Sequence, residues 1–244
     1  MAGQPKQRLD QLLVERDLVG SRTQAQALIM AGQVFSDGQR LDKPGHMLAA
    51  DAPVTVRQPA PYVSRAGEKL ASVAEKFKLN FDGKVVLDVG ASTGGFTDFA
   101  LQNRAIKVFS IDVGNGQLAW KLRNDPRVVS LEKTDIRALE LDETPDLAVV
   151  DVSFISLAKV LPAVAKLIKP SSLIVALAKP QFEAGRVLAS RYKGVISDED
   201  VRQQVLDRLR VEIEPDFEIM GEADSAVAGA EGNVERFLLL RTKR

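Results

Sequence analysis

Three glycines fall within six residues in VVLDVGASTGGFTD, Val85 to Asp98, directly after a β-branched apolar run that carries Asp88. Glycines so placed bring bare backbone amides against a ligand. A dinucleotide fingerprint needs G-x-G-x-x-G, whereas Gly90, Gly94 and Gly95 give G-x-x-x-G-G. No G-K-[ST] follows, so a phosphate-cradling P-loop is excluded as well. Two more carboxylates, Asp112 and Asp135, follow the next two apolar runs. There, acidic groups can accept hydrogen bonds from sugar hydroxyls and a base edge. A second set comprises two lysines and two carboxylates: Lys69 in YVSRAGEKL, Asp151 in DVSFISL, Lys179 in ALAKPQFE and Glu235 in EGNVERF. A lysine beside a carboxylate is suited to orienting a weak nucleophile and taking its proton.

These residues need a scaffold that gathers them. From Val63 onward, strand-like runs cover 84–89, 106–113, 127–131, 146–152, 172–178, 216–221 and 235–241. Helical patterns over 66–78, 95–103, 156–168 and 198–211 lie between most of them. The alternation predicts an α/β fold with a mostly parallel, Rossmann-like sheet. The last two runs have only a loop between them, which predicts an antiparallel hairpin and an antiparallel last strand. Ligands bind at the carboxyl ends of such strands, where Asp88, Asp112, Asp135, Asp151 and Lys179 fall.

Residues 7–57 form a separate α+β module. RLDQLLVERDLV predicts a helix stopped by Gly20, and Ser21 caps a second one, RTQAQALIMA. Asp37-Gly38 predicts a hairpin turn, and PVTVR a further strand. QPAPY, residues 58–62, is expected to be a stiff linker to the larger domain, 63–244.

Composition narrows the function classes. Lys+Arg and Asp+Glu are both 33, so any attraction for nucleic acid must come from local surface. With no cysteine and one histidine, His46, neither a thiolate metal site nor a multi-histidine centre is expected. MAGQPKQRLD is too polar for a signal peptide, and SLIVALA is too short to span a bilayer. The expectation is a cytoplasmic protein, without metal or membrane partner, and monomeric.

The pattern D-x-G-x-x-x-G-G resembles the first motif of S-adenosylmethionine-dependent methyltransferases. That resemblance implies S-adenosyl-L-methionine held by Asp88, Gly90, Ala91, Ser92, Thr93, Gly94, Gly95 and Phe96. Asp88 would receive the ammonium, directly or through water. Asp112 with Val113 would take the ribose, Asp135 with Ile136 the adenine, and Asp151 would border both ligands. Lys69, Asp151, Lys179 and Glu235 resemble the Lys-Asp-Lys-Glu tetrad of FtsJ-like ribose 2′-O-methyltransferases. In that scheme Lys179 orients and deprotonates the hydroxyl, the carboxylates orient the lysines, and Lys69 positions substrate.

Over nearly its full length the chain is similar to the TlyA family of rRNA (cytidine-2′-O)-methyltransferases, also named hemolysins. GNGQLAWKLRNDPRV, KPQFEAG and EGNVE carry the likeness alongside the motifs above. The N-terminal module resembles an S4 RNA-binding domain, in its R-L-D start and S-R-x-x-A helix. The resemblance implies ribosomal RNA within ribosomal subunits as partner, 23S and in one subgroup also 16S. Arg8, Arg22, Arg40 and Lys43 would contact it from the module, and Arg65 from the larger domain. A non-catalytic RNA-binding assembly factor is the rival reading. A membrane-active hemolysin is opposed by the lack of any spanning segment.

Overall fold

The computed structural model describes residues 5–57, 60–185, 188, 191, 192, 194–229 and 231–243. The chain divides into two compact units, Met1–Ala60 and Pro61–Arg244. Of the expected linker 58–62, Gln58 and Pro59 lie outside the described residues. Pro61 and Tyr62 pack within the second unit: Gln102 Nε2 donates to Pro61 O at 2.9 Å, and the Tyr62 ring lies 5.6 Å from Phe99.

In the first unit, β1 (Lys6–Arg8) runs into α1 (Leu9–Glu15), followed by α2 (Arg22–Met30), β2 (Val34–Ser36), β3 (Gln39–Leu41), β4 (Met47–Ala49) and β5 (Val54–Val56). Leu9, Leu13, Ala25, Ile29 and Val34 are fully buried between the helices and the strands. Ser21 caps α2 by accepting from Gln24 N, as its sequence predicts. Asp37 and Gly38 both take positive φ, which the hairpin between β2 and β3 requires. The first helix is shorter than its apolar spacing suggests. It ends at Glu15 because Asp17 turns left-handed, φ 54°, before Gly20 is reached. The β1–β4 pairing was not legible from strands of three residues.

The second unit runs α3 (Arg65–Ala74), β6 (Val85–Val89), α4 (Gly95–Gln102), β7 (Lys107–Ile111), α5 (Trp120–Arg123) and β8 (Val128–Leu131). It continues with β9 (Leu147–Val150), α6 (Leu157–Leu167), β10 (Leu173–Ala178), α7 (Pro180–Glu183), α8 (Glu199–Ile213), β11 (Phe217–Asp224) and β12 (Arg236–Thr242). The seven strands lie in the order β11-β12-β10-β9-β6-β7-β8, and only β12 runs against the rest. Strand alternation sorts the core into two layers. Val85, Leu87 and Val89 face α6 and α8, while Val86 faces α3 and α4. The chain leaves β6 toward β7 and β8, then returns to β9 on the other side of β6. That reversal opens a crevice at the carboxyl ends of β6 and β9.

Leu161 in α6 is fully buried in the layer below β9 and β10. Leu161→Ala should cost about 2–5 kcal/mol of stability, read as a lower urea midpoint at unchanged m. An unchanged midpoint would mean that α6 does not share this core.

Candidate active site

The crevice is set by backbone approach. A Cβ on Gly90 would stand 2.5 Å from the carbonyl oxygen of Asp151, and its φ is +84°. The amides of Gly90 and Ala91 both donate to Ile111 O, at 2.9 and 3.0 Å, which folds the loop over the end of β7. Asp112 then holds the two facing loops together, accepting from Ser92 N at 2.7 Å and Gly114 N at 2.6 Å. Gly94, at φ +94°, leaves room only for Leu118 and Leu122. Gly95 lies against Ser64 and Ala66 at the start of α3. The latter two glycines therefore serve packing.

Two cavities meet at this loop. The smaller, about 470 Å³, is lined by Gly90, Ser92, Asp112, Val113, Gly114, Asp135, Ile136 and Asp151, with Ile111, Val152 and Val160 as apolar wall. Its size lies within the usual range for small-ligand sites. Asp135 is clasped by Arg137, whose hydrogen bonds pull its carboxyl down to about 2. The larger cavity, about 1360 Å³, adds Ala91, Thr93, Lys69, Lys179 and Glu235 and shares Gly90, Ser92, Asp151 and Phe154 with the first. Asp88, Gly94, Gly95 and Phe96, expected to touch the cofactor, line neither cavity.

For Asp88 the reason is register. It shares the face of Val86 and points under α4, fully buried. Thr97 Oγ1 donates to its Oδ2 at 2.6 Å and lies 2.7 Å from Ser110 Oγ. Its Oδ1 has no hydrogen-bond partner among the described residues. Burial, with the negative charge of Asp151 adding to it, pushes the Asp88 carboxyl up to about 7 despite the Thr97 bond. Asp88 thus braces the first turn of α4 through Thr97.

The four catalytic candidates do converge, as two ion pairs in the larger cavity. Lys69 Nζ donates to Glu235 Oε2 at 2.6 Å, with side chains only 9% and 3% exposed. Lys179 Nζ lies 2.7 Å from Asp151 Oδ1, at 11% and 14% exposure. That contact has ion-pair distance without hydrogen-bond alignment, and the aligned bond runs to Ser153 Oγ at 2.9 Å. Because β12 is antiparallel, Glu235 at its entry arrives at the same edge as the ends of β9 and β10. A Cβ on Gly229 would lie 2.7 Å from Glu235 Oε1, so the loop before β12 closes tightly on that carboxylate. Buried Asn233 ties this loop to the chain ahead of α8, accepting from Ile196 N and donating to Gly194 O.

Three groups at this edge were not singled out from sequence. Phe154 is 90% exposed, takes φ +66°, and lines both cavities 4.8 Å from the Phe182 ring. A bulky residue in the left-handed region is strained, and that backbone turn directs its ring to the mouth. Ser153 fixes Lys179. Glu183 accepts from Leu157 N at 2.9 Å at the head of α6, and burial raises its carboxyl. The one available signal was DVSFISL itself, where an aromatic follows the strand-end aspartate by three residues.

Arg65 stands exposed at the rim of the larger cavity. In the first unit Arg8 and Arg22 are both bonded to Asp10, while Arg40 packs over Gly32 and Lys43 is exposed. Among the described residues no helix is long and apolar enough to cross a membrane, and no group of three or more His, Cys, Asp or Glu could hold a metal ion.

The FtsJ-like methyltransferase family matches residues 62–243 and the S4 domain residues 7–54. YqxC of Bacillus subtilis, provisionally named an rRNA methyltransferase, is 47% identical across 96% of this chain and 85% of its own. The Mycobacterium tuberculosis protein named 16S/23S rRNA (cytidine-2′-O)-methyltransferase TlyA is 44% identical across 97% of this chain and 90% of its own. A solved Streptococcus thermophilus structure, provisionally named a hemolysin, superposes with a TM-score of 0.72 at 38% identity, covering 98% of this chain and 90% of that one.

The buried Asp88 gives a pH test. Its raised folded value means the folded chain keeps a proton that the unfolded chain loses near pH 4, so this group's contribution to stability falls as pH rises from about 4 to about 7. Asp88→Asn removes that fall, so the gap between variant and wild type should move in the variant's favour by a few kcal/mol over this window. A constant gap in urea titrations would refute the buried, protonated assignment.

Proposed function

The chain belongs to the TlyA family, an S4 domain followed by an FtsJ-like methyltransferase domain, and from that membership we propose that it methylates the ribose 2′-hydroxyl of a cytidine in ribosomal RNA. S-adenosyl-L-methionine is the methyl donor in this reading. The observation that carries it is the union of two lysine–carboxylate pairs in one cavity that opens, at Gly90, Ser92 and Asp151, into a second pocket of ligand size.

The residues fit that donor. The tight Gly90–Asp151 approach leaves a backbone cradle at the junction, Asp112 and Asp135 supply acceptors, and Ile111, Val113, Ile136 and Val152 give an apolar wall. When bound there, the donor supplies an electrophilic methyl group to an in-line nucleophile. The protein's share is alignment and proton removal. Lys179, fixed in the larger cavity by Asp151 and Ser153, which line both cavities, orients the hydroxyl and takes its proton. Lys69, held by Glu235, supplies a fixed positive charge that positions the ribose and its phosphate. Phe154 offers a stacking face for the base whose ribose enters the cavity, which an unstacked nucleotide needs. The first unit adds affinity for folded RNA through phosphate contacts.

Label transfer from radioactive S-adenosylmethionine to isolated ribosomal subunits tests this reading. Lys179→Ala should lower the rate by roughly 10²–10⁴ while leaving subunit binding intact. Wild-type protein that binds subunits and transfers no label would favour a non-catalytic assembly factor. Phe154→Ala should weaken productive engagement of the target by about 1–3 kcal/mol, seen in kcat/KM for subunits. An unaltered kcat/KM would remove the stacking role.

A further inference from the structure

Arg8 at the end of β1 and Arg22 at the start of α2 are separated in sequence by the whole of α1 and the turn after it, yet both converge on one carboxylate. Asp10, in the first turn of α1, is fully buried. Arg8 Nε and Nη2 form a bidentate clasp on it at 3.0 Å each, and Arg22 Nε and Gln26 Nε2 add bonds to the same Oδ2 at 2.9 Å. The Arg8 fork foremost, with Gln26 and Arg22 adding to it, holds the Asp10 carboxyl far below the ordinary carboxylate range in spite of burial.

Both arginines nevertheless remain about half in solvent, 41% and 52% exposed. Arg22 spends only Nε on the aspartate, so among the described residues both of its terminal nitrogens are without a hydrogen bond. Arg8 keeps Nη1 without a hydrogen bond among the described residues, lying over the backbone at Gly45. Two guanidiniums bonded to one oxygen stand within about 6 Å of each other. Without an anion between them, like charges at that spacing would drive the flexible side chains apart.

We infer that Asp10 is a positioning residue for RNA binding: its buried carboxylate locks Arg8 and Arg22 into a paired guanidinium face that grips the phosphate backbone of folded RNA. The inference rests on the RNA-directed reading above and deepens it. An acidic residue here strengthens binding to a polyanion, since it trades one unit of attraction for two donors fixed in advance. Bulk electrostatics predicts the reverse, with affinity rising when Asp10 is neutralised.

The test uses the full chain and isolated ribosomal subunits, by filter binding over a salt series, with steady-state methylation alongside. Asp10→Asn should weaken binding several-fold and flatten the salt slope, although net charge becomes more positive. Arg8→Lys and Arg22→Lys keep the charge and lose the fork, and each should also weaken binding several-fold. In methylation assays the loss should fall on KM for subunits and leave kcat unchanged. Because the lysine changes alter partly exposed side chains, they carry the test even if Asp10→Asn melts the first unit. Asp10→Asn binding as tightly as wild type or tighter, with both lysine variants unchanged, would overturn the inference while the RNA-binding reading stands. If the double change Arg8→Ala, Arg22→Ala leaves binding untouched, this face does not meet RNA and the inference falls with that assignment.

Discussion

The carbonyl of Asp151 leaves no space for a side chain at residue 90, and everything at the site follows from that contact. Because β6 and β9 are neighbours although β7 and β8 intervene in sequence, their carboxyl ends splay toward different crossovers. The glycine lets the two ends touch before they part. Beyond the touch, one side becomes the pocket bordered by Asp112 and Asp135, and the other the cavity that holds Lys179. Asp151 belongs to both. A methyl group crossing from one ligand to another needs such a shared wall, since the reacting atoms must approach to about 3–3.5 Å.

Two nearly buried ion pairs are an expensive way to build a stable core. Desolvating four charged groups consumes most of what their attraction returns, and apolar residues would pack there at less cost. Their retention makes sense where two polar groups must be present and immobile. Lys69 and Lys179 approach from α3 and from the end of β10, and each meets a carboxylate at the end of a different strand, Glu235 just before β12 and Asp151 just after β9. Four elements thus converge to fix two nitrogens. The antiparallel insertion of β12 is what delivers the fourth group.

Much of this was legible in the sequence because it is written in period and in punctuation. Alternating apolar runs and helical spacing specify the sheet, and the strand-end charges specify the edge at which they gather. The rest depends on angles that letters do not carry. Helices α5 and α7 have four residues each, too few for a period. Phe154 reads as one more apolar residue until its positive φ turns the ring outward. Asp88 shows the register directly: its two-residue offset from Val86 assigns it to the inner face. Arg8 and Arg22 were legible as basic residues, whereas the carboxylate between them was legible only as a countercharge.

The central claim is chemical: the lysine–carboxylate cavity methylates a ribose oxygen, and a base edge is left alone. Mass spectrometry of nucleosides released by complete enzymatic digestion of treated subunit RNA tests this most directly. The account predicts a new 2′-O-methylcytidine, with the added 14 mass units (about one CH₂) on the sugar fragment. A methyl group retained on the base fragment would contradict it.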